Sequence, residues 1–79
     1  MRAYLTVTFF DEPSNQMLSS IELLLSPFNF SLFSTEGGNG FDYEYHFDGP
    51  VASLDEAIRT AERWFTRYSI RGNISRNYL

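Results

Sequence analysis

Phe41-Asp42-Tyr43-Glu44-Tyr45-His46-Phe47-Asp48 alternates aromatic and polar side chains without a break over eight positions. Successive side chains of a strand point to opposite faces. Phe41, Tyr43, Tyr45 and Phe47 therefore share one face, and Asp42, Glu44, His46 and Asp48 share the other. A helix would mix these two sets. The segment reads as a strand with an apolar inner face and an acidic outer face, and the rest of the chain must cover the first.

Ala3 to Phe10 reads as an earlier strand, with Leu5, Val7 and Phe9 inward and Tyr4, Thr6 and Thr8 outward. Asp11-Glu12-Pro13-Ser14 breaks it, and Pro13 suits the first turn of a helix. From Asn15 to Leu25, the apolar residues Met17, Leu18, Ile21, Leu24 and Leu25 fall on one helical face. Pro27 should stop that helix by pushing Ser26 toward extended geometry. Phe28 to Ser34 alternates again, with Phe28, Phe30 and Leu32 inward and Phe33 outward. Thr35-Glu36-Gly37-Gly38-Asn39-Gly40 carries the glycines and asparagine of a tight turn. Residues 28–48 are therefore expected to form an antiparallel hairpin.

Asp48-Gly49-Pro50 ends the hairpin. Ser53 and Glu56 have capping-box spacing. The helix they introduce should run to about Tyr68, burying Leu54, Ala57, Ile58, Ala61, Trp64, Phe65 and Tyr68. Residues 70–79 fit either a short edge strand, formed by Ile74 with Tyr78 or Leu79, or a loose tail.

The order is β-α-β-β-α with an optional last strand, in one domain spanning 1–79. The expected class is α+β, a ferredoxin-like antiparallel sheet with two helices on one face. The alternative is a three-stranded meander crossed by one long helix. The open face of the first arrangement would show Tyr4, Thr6, Thr8, Asn29, Ser31, Phe33, Asp42, Glu44, His46 and Asp48.

Composition narrows the chemistry. The 79 residues contain no Cys, which excludes disulfides, a thiolate nucleophile and Cys-ligated zinc. They contain no Lys, which excludes a Schiff base and a phosphate-loop lysine. With a single His, no nucleophile–base–orienter set is visible, so the expectation is a protein without enzymatic activity or cofactor. No signal-peptide pattern or membrane-length apolar run is present, and the reading is a soluble, cytoplasmic protein. The net charge of −4 is uneven: residues 1–49 carry −6 and residues 50–79 carry +2. Overall acidity argues against direct nucleic-acid binding, which cation–phosphate contacts drive. An RNA-recognition sheet is excluded further, because the central strand lacks the basic, glycine-bearing aromatic motif.

Three constellations remain. Asp42, Glu44 and Asp48 project from one strand face, whose neighbouring positions stand roughly 6–7 Å apart, similar to phosphates along a nucleic-acid strand. With Glu36, Phe33 and His46 they form a candidate partner-binding face, and the plain alternative is a solvated polar surface. His46 between Glu44 and Asp48 has the donors of a metal or general-base site, but metal centres require more converging ligands, so no metal is expected. Arg59, Arg63, Arg67 and Arg71 wind along the second helix, where Asp55 and Arg59 have ion-pair spacing. Arg59, Arg63, Arg67 and Trp64 are a second candidate interface; the alternative is helix solubility, with Trp64 in the core.

Gly49-Pro50-Val51-Ala52-Ser53-Leu54-Asp55-Glu56-Ala57, followed by Ala61-Glu62-Arg63-Trp64, looks like a strand-to-helix junction of small phage and bacterial proteins. In size, acidity, aromatic density and absent catalytic groups, the chain resembles the small inhibitors encoded by phages and mobile elements, including anti-CRISPR proteins. That resemblance implies a protein partner with a basic, nucleic-acid-binding surface, such as a CRISPR effector complex in the bacterial cytoplasm. The other functional expectation is a self-associating regulatory module, such as an antitoxin or immunity protein. The expected state is accordingly a monomer or a homodimer.

Overall fold

Alternation along the first strand places Ala3, Leu5, Val7 and Phe9 on one side, each at most 1% exposed. In the computed structural model, which describes residues 1–78, this strand is β1 (Arg2–Phe9). It is followed by α1 (Asn15–Leu25), β2 (Ser31–Gly38), β3 (Phe41–Pro50), α2 (Leu54–Arg67) and β4 (Gly72–Tyr78). The last strand forms, so the three-stranded alternative is set aside. Leu79 lies outside the described residues.

The sheet runs β2-β3-β1-β4, and every pairing is antiparallel. Ile21 and Leu25 of α1 join Leu54, Ala57, Ile58, Ala61 and Phe65 of α2 in one core with the inward residues of β1 and Phe47 of β3. Both helices therefore cover the same face, and the opposite face has no covering layer. Among the described residues, no helix is long and apolar enough to cross a membrane.

The start of α1 is satisfied locally. The Ser14 hydroxyl accepts from the Met17 N–H at 3.1 Å, relieving one orphan donor of the first turn. Its end departs from expectation. Ser26 keeps helical dihedrals (φ −56°, ψ −42°), and Pro27 opens a 3-10 turn over Ser26–Phe28 rather than forcing an extended residue. Proline lacks only the N–H that a first turn leaves unpaired anyway. Asn29 then reverses the chain in the left-handed region (φ 64°), so it lies outside the strand and off the sheet face. Strand β2 begins at Ser31.

The glycine-rich segment folds more tightly than its length suggests. Gly38 pairs with Phe41, leaving Asn39 (φ 53°) and Gly40 (φ 94°) as a two-residue turn. Two consecutive positive φ values define the turn whose twist matches a hairpin, which explains Asn-Gly at these positions. Cover over β3 declines toward this turn. Phe47 is fully buried, Tyr45 and Tyr43 are half-buried, and Phe41 is 77% exposed despite its inward parity.

Two expectations for α2 fail for the same reason, which is how the chain enters and leaves the helix. A 3-10 turn over Val51–Ser53 precedes it, so Ser53 makes no capping contact. Its hydroxyl instead donates to the Phe28 carbonyl at 2.7 Å, tying the two connections together. Tyr68 ends the helix with non-helical dihedrals and is 61% exposed, and Trp64 is half-buried. Asp55 does not use Arg59; it pairs with Arg76 of β4 at 2.5 Å. Arg76 shares the inward parity of Ile74 and reaches past the core to the helix, as long cationic side chains do.

Tyr45 sits edge-on to Phe9, with ring centroids 5.7 Å apart. Burial raises its phenol pKa above the ordinary tyrosine value of about 10, reinforced by the Glu12 charge and by Tyr43. The folded state thus holds this proton more tightly than the unfolded chain. Tyr45 therefore favours folding fully below pH 10, and this contribution falls as pH rises above it. Urea unfolding should show stability declining from about pH 9 to about pH 11, with a smaller decline in Tyr45→Phe. Equal slopes for both proteins would contradict this assignment.

Candidate binding face of the sheet

The uncovered face is built by residues of even number on β1 and β3 and by their cross-strand partners on β2 and β4. Tyr4 faces Asp48, Thr6 faces His46 and Thr8 faces Glu44. Asn77, Ser75 and Asn73 continue these rows onto β4. On β2, Ser31 faces Asp48 and Leu32 faces Phe47, but Ser34, not Phe33, faces His46. Phe33 is an extra residue, a β-bulge, and bulges re-aim side chains. It emerges 55% exposed, with its ring 5.3 Å from Tyr4 and 6.2 Å from His46.

The bulge also determines what meets Glu44. Continuing the Leu32–Phe47 register would have placed Thr35 opposite Glu44 and turned Glu36 inward. The extra residue instead sets Glu36 opposite Glu44. Glu36, Glu44 and His46 then offer ligand atoms that all lie within 4.8 Å of one another. Like charges directly opposite across a strand pair repel, so this arrangement is unfavourable by itself.

His46 is fixed from β1. Its Nδ1 lies 2.9 Å from Thr6 Oγ1, and Thr6 is only 6% exposed. Its Nε2 is buried, has no hydrogen-bond partner, and stands 3.6 Å from Glu44 Oε1. Most buried polar atoms are paired, so an orphan on a sheet face is informative.

The expected acidic row is therefore not uniform. Asp48 is bound by Arg2 at 2.5 Å and belongs to a neutral pair at one end. Glu36, Glu44 and Asp42 concentrate the negative charge toward the hairpin end, with Asp42 exposed there. The grouping of Asp48 with Glu44 and His46 as metal donors is corrected in the same way: Glu36 from the neighbouring strand takes its place. Thr6 and Thr8, expected to be open, are buried on this face.

The second candidate set lies elsewhere. Arg59, Arg63 and Arg67 are exposed on α2, which covers the inner face of the sheet, and they do not join the acidic cluster. Arg63 donates to Thr60 Oγ1 at 3.3 Å, and the Arg67 guanidinium lies 5.7 Å from the Tyr68 ring centroid. Trp64 meets Phe9 edge-on at 6.4 Å and contributes to the core margin. Arg71 pairs with Asp11 at 3.3 Å between two exposed connections, a contact of small energetic weight.

Arg2 and Thr6 were not among the candidate site residues. The parity of β1 would have put both on the outer face with Tyr4, but only strand pairing shows that they meet Asp48 and His46. In comparisons with known proteins, no family model, no curated protein and no solved structure matches this chain significantly.

Proposed function

We propose that this chain is a non-catalytic protein-binding inhibitor acting in the bacterial cytoplasm. It covers a basic nucleic-acid-binding surface on its partner, with a CRISPR effector complex the sharpest case. The observation that carries this reading is Phe33, an exposed aromatic side chain at a bulge, its ring against Tyr4 and His46 on the face that carries Glu36, Glu44 and Asp42. An exposed aromatic beside concentrated charge has the make-up of an interface anchor with a steering rim. Phe33 supplies apolar contact, and the carboxylates set approach and exclude acidic surfaces.

The test uses purified effector complexes and the untagged chain. Binding should compete with target nucleic acid and weaken with salt. Phe33→Ala should cost roughly 2 kcal/mol of binding, about 30-fold. Glu36→Arg/Asp42→Arg/Glu44→Arg should abolish binding while circular dichroism shows the domain still folded. Undiminished binding by this folded triple variant would remove the interface from this face.

The alternative is a self-associating module of the antitoxin or immunity type. Its support is the shallow groove of Leu24, Arg63, Trp64, Arg67 and Tyr68 on the helical side. A dimer in sedimentation that Tyr68→Ala dissociates, together with no capture of effector complexes, would favour it.

A further inference from the structure

We propose that Glu36, Glu44 and His46 form a binding site for a divalent first-row transition metal, with Zn2+ the best match. The site shares Glu36 and Glu44 with the partner-binding face, but it does not rest on that reading: zinc binding is measured on the isolated chain, with no partner present.

Three observations meet at this point. The donor atoms of the three side chains lie within 4.8 Å of one another, and they come from two strands held in register by the sheet. Glu36 and Glu44 are a cross-strand pair of like charges, an arrangement that a bound cation converts from repulsion to attraction. His46 Nε2 is buried without a hydrogen-bond partner and faces this pair. In neither neutral ring tautomer is that nitrogen satisfied, because the nearest Glu44 oxygen is 3.6 Å away.

The geometry suits zinc. Zinc binds imidazole nitrogen and carboxylate oxygen at about 2.0–2.2 Å, so tetrahedral neighbours stand roughly 3.3–3.6 Å apart. Glu44 Oε1 and His46 Nε2 already have that separation. Glu36 is exposed and completes the set by side-chain rotation. Three protein ligands leave a fourth position for water or for a donor group from another molecule. An imidazole ligand favours zinc and its neighbours over magnesium and calcium, which prefer oxygen.

The surroundings supply the support that metal ligands use. Thr6 Oγ1, 2.9 Å from Nδ1, accepts the Nδ1 proton in the tautomer that leaves the Nε2 lone pair for the metal. Phe33 flanks the imidazole and partly shields it from solvent. Thr6 is a positioning residue here, acting through His46.

Isothermal titration calorimetry of the untagged chain with ZnCl2, and separately with MgCl2, tests the proposal. The expected result is one Zn2+ per chain, much weaker Mg2+ binding, and a zinc-dependent shift of the His46 Nε2 resonance in 15N NMR. Glu36→Gln and Glu44→Gln should each weaken zinc at least tenfold. Thr6→Val should weaken it by about 10–100-fold through loss of the Nδ1 partner, and Thr6→Ser should restore it. Glu36 is exposed, so Glu36→Gln keeps the test valid even where Thr6→Val unfolds. No zinc heat with the wild-type chain, or wild-type affinity in both glutamine variants, would overturn the site. An NMR shift confined to residues other than Glu36, Glu44 and His46 would overturn it as well.

Discussion

Phe9→Ala is expected to lower the unfolding free energy by about 3–5 kcal/mol. A 79-residue domain has roughly 4–12 kcal/mol in total, at ~0.05–0.15 kcal/mol per residue. The substitution therefore removes much of the stability and leaves a substantial unfolded population where the total is low. The size follows from position. Phe9 is 1% exposed at the end of β1, a central strand, and aromatic residues of α2 and β3 meet on its ring. Phe65 stacks on it at 5.4 Å, while Tyr45 and Trp64 approach edge-on at 5.7 and 6.4 Å. Alanine leaves a cavity that three rigid aromatic neighbours cannot close. Phe41→Ala is the control, because Phe41 has inward parity on β3 but is 77% exposed at the hairpin end. Its effect should stay within about 0.5 kcal/mol. Urea titration reads both values, and comparable losses would show that Phe9 is not the centre of the core.

Gly49→Ala is the second large effect, and it acts by overfilling. A Cβ on Gly49 would lie 2.6–2.8 Å from Cγ, Cδ1 and Cδ2 of Phe30. These atoms lie at the base of a ring only 2% exposed, so the ring has no room to withdraw. The expected cost is about 1–3 kcal/mol. Gly49 has no unusual φ, so backbone strain does not enter. Phe30→Leu in the Gly49→Ala background should recover part of the loss, giving a coupling of about 0.5–3 kcal/mol between the two positions. Strictly additive losses would mean that the close approach is not what holds Phe30 in place.

This packing explains why residues near the hairpin were only half legible. Alternation along Phe41–Asp48 gave the strand, its polar face and the burial of Phe47. It carries no information on where helical cover ends, and parity alone places Phe41 inward. Ser53 and Glu56 have capping-box spacing, but the hydroxyl is claimed by the Phe28 carbonyl, 25 positions earlier in the chain. Asp55 has an arginine one helical turn away, yet its partner is Arg76 on β4. In each case a contact distant in sequence outcompeted a local one of similar strength.

Local sequence determined the element types, the apolar faces of β1, α1 and α2, the Asn39-Gly40 reversal and the acidic character of one strand face. Periodicity and turn chemistry are properties of neighbouring residues, so the chain alone carries them. Only the tertiary structure decided which polar residues meet. Arg2 neutralises Asp48, Thr6 holds His46, and the bulge at Phe33 turns Glu36 outward to oppose Glu44. A shift of one residue exchanges the two faces of a strand. That shift arises from pairing between β2 and β3, which periodicity within either strand does not encode.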